Sequence, residues 1–236
     1  MSEGSRTVMP GGGVARRPFH LIIVADCSGG MAGEKMQSLN FAIASMLPHL
    51  REWDSEQLQA QVMIRVLSFA TEPLWHIRDP VPVVDLNWMP LQAVRHGWTN
   101  MGPAFREVAT ALSPDRLESR ALRPAIVLVT DGLPTDRAGE FDAGLNALLS
   151  LPAGRSSLRL AVAIGRDANS EFLNRFIGDP TVPVLVADRA DEIADRLVAV
   201  SLAVSRMSEA GADRVSLASQ LLQSDPDMGD DDEDIV

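Results

Sequence analysis

The residues best suited to chemistry fall in three short segments. Asp26-Cys27-Ser28-Gly29-Gly30 follows an apolar run, Thr99 lies in Gly97-Trp98-Thr99-Asn100-Met101-Gly102, and Asp131 lies in Thr130-Asp131-Gly132 after another apolar run. Asp26, Ser28, Thr99 and Asp131 together offer two carboxylates and two hydroxyls, all hard oxygen donors. Mg2+ favours such a set, because it takes oxygen ligands and keeps several waters. Mn2+ and Ca2+ accept the same donors. The glycines beside these residues let the backbone approach a ligand closely.

Each residue also has a plainer reading. Asp26 and Asp131 suit helix caps, Ser28 suits a turn, and Thr99 suits a loop. Their joint placement on three separate loops favours a metal. Other chemistries fit less well. A phosphotransferase with an aspartate nucleophile needs Asp-x-Asp after its first strand, and Ser28 stands where the acid would be. Neither the phosphate-binding pattern G-x-x-x-x-G-K-[ST] nor the hydrolase pattern G-x-S-x-G occurs. The four histidines show no paired ligand spacing. His96 and Trp98 share the loop of Thr99, so Trp98 is a candidate rim of a binding face. Cys27, the only cysteine, reads as a small buried hydrophobe and rules out an intramolecular disulfide, as suits a reducing compartment.

The surrounding pattern says what must hold these loops. Phe19 to Ala25 is a nearly continuous apolar run rich in β-branched residues, as in a strand buried on both faces of a parallel sheet. Gly33 to Leu50 has helical spacing, with Met36, Leu39, Ile43, Met46, Leu47 and Leu50 on one face. Gln61 to Phe69 predicts a strand, and Pro73 to Arg78 a short hairpin partner. Asp79 to Thr99 predicts a long irregular loop, a type that is often functional. Pro103 to Leu112 predicts a helix, Ala125 to Thr130 a strand, and Asp136 to Ser150 a helix capped by Asp136. Strand, helix and strand then recur at Leu158 to Ile164, Ser170 to Ile177 and Val182 to Val186, and Ala190 to Met207 predicts a final helix. The expectation is an α/β fold: a doubly wound, mostly parallel six-stranded sheet, helices on both faces and one short antiparallel edge strand. Ligands bind such sheets at the carboxyl ends of the strands, where strand order reverses.

On these motifs the chain resembles the von Willebrand factor A domains, with their metal-ion-dependent adhesion site. That family's first motif is Asp-x-Ser-x-Ser, followed by a distant Thr and then an Asp. Asp26, Ser28, Thr99 and Asp131 match in order, and Gly30 replaces the second Ser. The resemblance implies direct ligation by the hydroxyls and ligation by the carboxylates often through water. It implies binding or scaffold work without turnover, through a Mg2+ that meets an acidic group of a protein partner. Gly30 supplies no side-chain oxygen, which makes a metal-free scaffold using helices and the Trp-containing loop the alternative. The stretch Gly30 to Lys35 also resembles the bacterial TerY-like branch, associated with tellurium resistance. That likeness implies stress response or phosphosignalling, with a kinase, a phosphatase or an ATPase as candidate partners.

Bulk composition sets the remaining expectations. The net charge is −11, and Asp225, Asp227, Asp230, Asp231, Asp232, Glu233 and Asp234 supply seven of those negatives. Nucleic-acid binding is not expected of such a chain. Nor is a membrane span, because no long uncharged apolar run occurs. Met1 to Pro18 lacks an apolar signal-peptide core, so the expectation is a cytoplasmic protein. Residues 1–17 read as a flexible lead-in, 18–207 as the α/β domain, and 208–236 as a polar acidic tail without fixed structure.

Overall fold

The computed structural model describes residues 15–165, 170–187, 189, 192–197 and 199. The lead-in up to residue 14 and the acidic tail lie outside the described residues. Six strands form one sheet: β1 (Arg17–Asp26), β2 (Ala60–Phe69), β3 (Pro73–Pro82), β4 (Ala125–Thr130), β5 (Leu158–Ile164) and β6 (Leu185–Ala187). Their spatial order is β3-β2-β1-β4-β5-β6. All neighbours pair in parallel except β2 and β3. The helices are α1 (Glu34–Glu56), α2 (Met101–Ala111), α3 (Glu140–Ser150), α4 (Pro152–Ser156) and α5 (Ser170–Ile177). The doubly wound sheet with one antiparallel edge is the fold class the sequence pattern implies.

Burial follows strand position. Every residue of β4 is buried, as is β1 from Phe19 onward, because each has a strand on either side and cover on both faces. No residue of β3 is fully buried, as befits an edge. At ten residues, β3 outruns the short strand expected at Pro73 to Arg78. Its pairing shifts register around Val66 and resumes with Ile64 opposite Val81. The Asp79–Pro80 dipeptide thus falls in an irregularity that the strand survives, since a proline is tolerated at an edge or a bulge.

Two other expectations change. α1 runs past Leu50 to Glu56, with Pro48 inside it. Asp136 does not cap the helix that follows it. α3 starts at Glu140 after Gly139, whose φ of 81° is left-handed. Asp136 instead accepts bonds at the start of α2, from Met101 N–H (2.9 Å) and Gly102 N–H (2.7 Å). A carboxylate there satisfies orphan donors and complements the helix dipole. α2 and α3 also cross at backbone contact. A Cβ on Gly102 would lie 2.2 Å from Glu140 O, and one on Gly144 would lie 2.1 Å from Gly102 O. Only glycine admits that approach. The start of α2, and with it Thr99, is therefore pinned to the loop after β4. The last predicted helix is seen as helical backbone at 192–197, and its remaining span lies largely outside the described residues.

Candidate metal centre

Sheet order reverses between β1 and β4, and both strands end at the candidate residues. Asp26 is the last residue of β1, and Asp131 immediately follows β4. Asp26 is fully buried (0% exposed) and held at both oxygens. Its Oδ1 accepts Ser28 N–H at 2.8 Å, and its Oδ2 accepts the Thr130 hydroxyl at 2.6 Å. Thr130 was not singled out from sequence, although it lies beside Asp131.

Ser28 and Thr99 are buried, and the Asp131 side chain is nearly so. The loop carrying Thr99 is tied to the loop carrying Ser28. Val94 N–H donates to Cys27 O at 2.7 Å, and Gly29 N–H donates to Gly97 O at 3.1 Å. Thr99 is also tied to the loop after Asp131. Its N–H donates to Thr135 Oγ1 at 2.7 Å, and its carbonyl accepts Thr135 N–H at 2.9 Å. The three segments thus converge on one end of the sheet.

Electrostatics shows what the cluster lacks. Burial pushes the Asp26 carboxyl above its ordinary value; the bonds from Thr130 and Ser28 pull it back, and the nearby charge of Asp131 pushes it up again. Two carboxylates thus feel each other in a poorly solvated place, where a cation relieves both. One cation is already there. Lys35 Nζ donates to Asp131 Oδ2 at 2.6 Å, from a side chain 42% exposed. A Cβ at Gly30 would lie 2.9 Å from that same Asp131 oxygen. The space beside the absent second serine is therefore occupied by the Asp131 carboxylate.

These residues fit a hard divalent cation in donor type. Among the described residues, no three His, Cys, Asp or Glu side chains gather closely enough to form a metal group. A cation here would depend on two carboxylates, two hydroxyls and retained water. Cys27 is buried, and burial pushes its thiol up to about 12. His96 sits in the loop with a left-handed φ of 59°. Trp98 is 62% exposed beside Thr99.

The fold is that of a von Willebrand factor A domain. Structures with this fold match at high probability. A von Willebrand factor type A protein from Catenulispora acidiphila superposes with a TM-score of 0.61 at 14% identity, over 80% of this chain and 43% of that one. The ArnB paralog VWA2 from Sulfolobus acidocaldarius gives 0.53 at 17% identity, over 77% and 44%. Proximal thread matrix protein 1 from the mussel byssus, with a zinc-occupied MIDAS motif, gives 0.61 at 13% identity, over 80% and 48%. The chain spans less than half the length of these three proteins. No family model and no curated protein matches the sequence. Among the described residues, no helix is long and apolar enough to cross a membrane.

Proposed function

We propose that the chain is a non-enzymatic protein-binding module that recognises an acidic group of a partner through Mg2+ held by Asp26, Ser28, Thr99 and Asp131. The observation that carries this reading is the pair of poorly solvated carboxylates whose nearest counter-charge is one half-exposed lysine. Bound there, Mg2+ would supply an open coordination position for a partner carboxylate. With Lys35 close by, the loaded site would be net positive on an otherwise acidic protein, which favours an acidic group over a basic one. Trp98, Val94 and Leu133 are exposed on the same loops and offer apolar contact around that group. Asp26 is an unsuitable nucleophile, being buried with both oxygens already bonded.

A second reading is favoured by the Lys35–Asp131 contact itself. In it the lysine permanently fills the cation's role, and the domain binds partners without metal. Calorimetric titration with Mg2+ separates the two. Saturable binding that disappears in Asp26→Ala supports the metal reading; no binding at millimolar Mg2+ sinks it and leaves the metal-free scaffold. The narrower TerY-like assignment rests on the Gly30 to Lys35 stretch alone. With it go a cytoplasmic stress-response or phosphosignalling role and kinase, phosphatase or ATPase partners. Co-purification of such an enzyme with the full chain would support it.

A further inference from the structure

The pole of the sheet opposite Asp26 is basic. β1, β4 and β5 start there, and exposed Arg17, Arg120, Arg123 and Arg155 stand where the segments leading into them meet. These arginines stitch the segments together through carbonyls. Arg17 donates from Nε to Arg120 O at 2.9 Å, and Arg120 from Nη2 to Ala15 O at 2.6 Å. Arg123 donates from Nε to Ser156 O at 3.2 Å, and Arg155 from Nη2 to Ser150 O at 3.4 Å. Backbone bonds close the same seam, from Leu122 N–H to Pro18 O and from Leu158 N–H to Pro124 O.

Carbonyl oxygens position a guanidinium but do not neutralise it. Among the described residues, none of the four arginines pairs with a carboxylate. Of the acids around this pole, Glu118 is bonded to His20 and Asp54 to Arg16. Four uncompensated cations on one face attract a run of acids. The chain carries such a run: seven acids fall between Asp225 and Asp234, and no Lys, Arg or His follows Arg214.

The chain also heads for this pole. After β6 it becomes helical at 192–197, with Ile193, Ala194 and Leu197 buried against the core. A helix that follows a parallel strand and packs back on its sheet runs toward the ends where the strands start. The 26 positions from Ala199 to Asp225 span roughly 40 Å as helix and roughly 90 Å extended. Either is at least about the width of a domain this size.

We infer that the acidic segment 225–234 docks on Arg17, Arg120, Arg123 and Arg155 of its own chain. Single exposed ion pairs are weak, but a tethered segment acts at a high effective concentration, so several weak pairs suffice. Docking there holds the acids away from Asp26 and Asp131, at the other end of the ten-residue β1 and roughly 30 Å off. It does not depend on a metal.

The test places a nitroxide on the full chain through Met228→Cys, Cys27 being buried, and reads amide signals by NMR. At about 10 mM salt the amides of Arg17, Arg120, Ala121, Arg123 and Arg155 should lose intensity. They should recover at about 1 M salt, where the screening length falls from roughly 30 Å to roughly 3 Å. They should also recover when Asp230→Asn, Asp231→Asn, Asp232→Asn and Glu233→Gln are combined, changes that leave the sheet untouched. No loss at these amides overturns the inference, as does a loss that survives salt or centres on Asp26. An equal loss in isotope-labelled chains mixed with nitroxide-bearing ones overturns it too, because the segment then docks on a second copy.

Discussion

Lys35 Nζ and Asp131 Oδ2 lie 2.6 Å apart, at a place where the missing Gly30 side chain would press on the same carboxylate oxygen. The two departures are one arrangement. Without a side chain at position 30, the Asp131 carboxylate occupies the space and meets a lysine five residues further along the chain. An ion pair whose lysine is half exposed contributes about 1 kcal/mol or less. A divalent cation can therefore compete with the lysine for Asp131.

Gly30→Ser should restore an oxygen donor at a local cost. The backbone at Gly30 is not left-handed, so serine is conformationally allowed. Its Cβ must push the Asp131 carboxylate aside, and crowding of this kind costs roughly 1–3 kcal/mol in a packed region. The variant should melt a few degrees lower without metal and bind Mg2+ about tenfold more tightly. Thermal melts with and without Mg2+ measure both; a variant with unchanged Mg2+ affinity would remove Gly30 from the account.

Asp26→Asn should stabilise the metal-free protein. Burial penalises the Asp26 carboxylate, and a neutral amide escapes that penalty. Asparagine still accepts the Ser28 N–H, and the Thr130 hydroxyl can turn to accept from the amide. A gain of about 1 kcal/mol corresponds to roughly 2–4 °C in melting temperature for a chain of this size. The same variant should lose its melting response to Mg2+. A lower melting point in EDTA would show that the carboxylate is not held at a cost.

The fold was legible because its evidence is local. β1, β4 and β5 announce themselves as apolar runs, and Asp26 and Asp131 sit at the ends of two of them. The site's supporting contacts were harder to read. Lys35 reaches Asp131 across 96 positions of sequence, and Asp136 caps a helix that precedes it by 35. Such pairings depend on how α1 and α2 pack, which periodicity does not encode. The extent of β3 was missed because Pro80 and Pro82 suggest a loop, whereas an edge strand accommodates both.

His20 gives a pH signature. It is fully buried on β1, and burial lowers its pKa below 6.5, outweighing the Glu118 bond that raises it. A histidine with a depressed folded-state pKa stabilises fully above the unfolded value. That contribution is lost as pH falls from about 6.5 toward the folded pKa, because the unfolded chain takes up the proton first. Denaturant melts of the wild type and His20→Gln between pH 7.5 and 5.5 should converge as pH falls. A constant difference across that range would show that His20 does not titrate as its burial implies.

Competition at Asp131 is tested most directly by measuring Mg2+ affinity in the wild type and in Lys35→Met. Methionine keeps most of the side-chain volume and removes the ammonium. Freeing Asp131 from a pair worth up to about 1 kcal/mol should tighten Mg2+ binding by about fivefold. Removing the repulsion between two cations should add to that. Saturable binding is expected in both proteins, tighter in the variant. Equal or weaker affinity in Lys35→Met, or no Mg2+ binding in either protein, would contradict it.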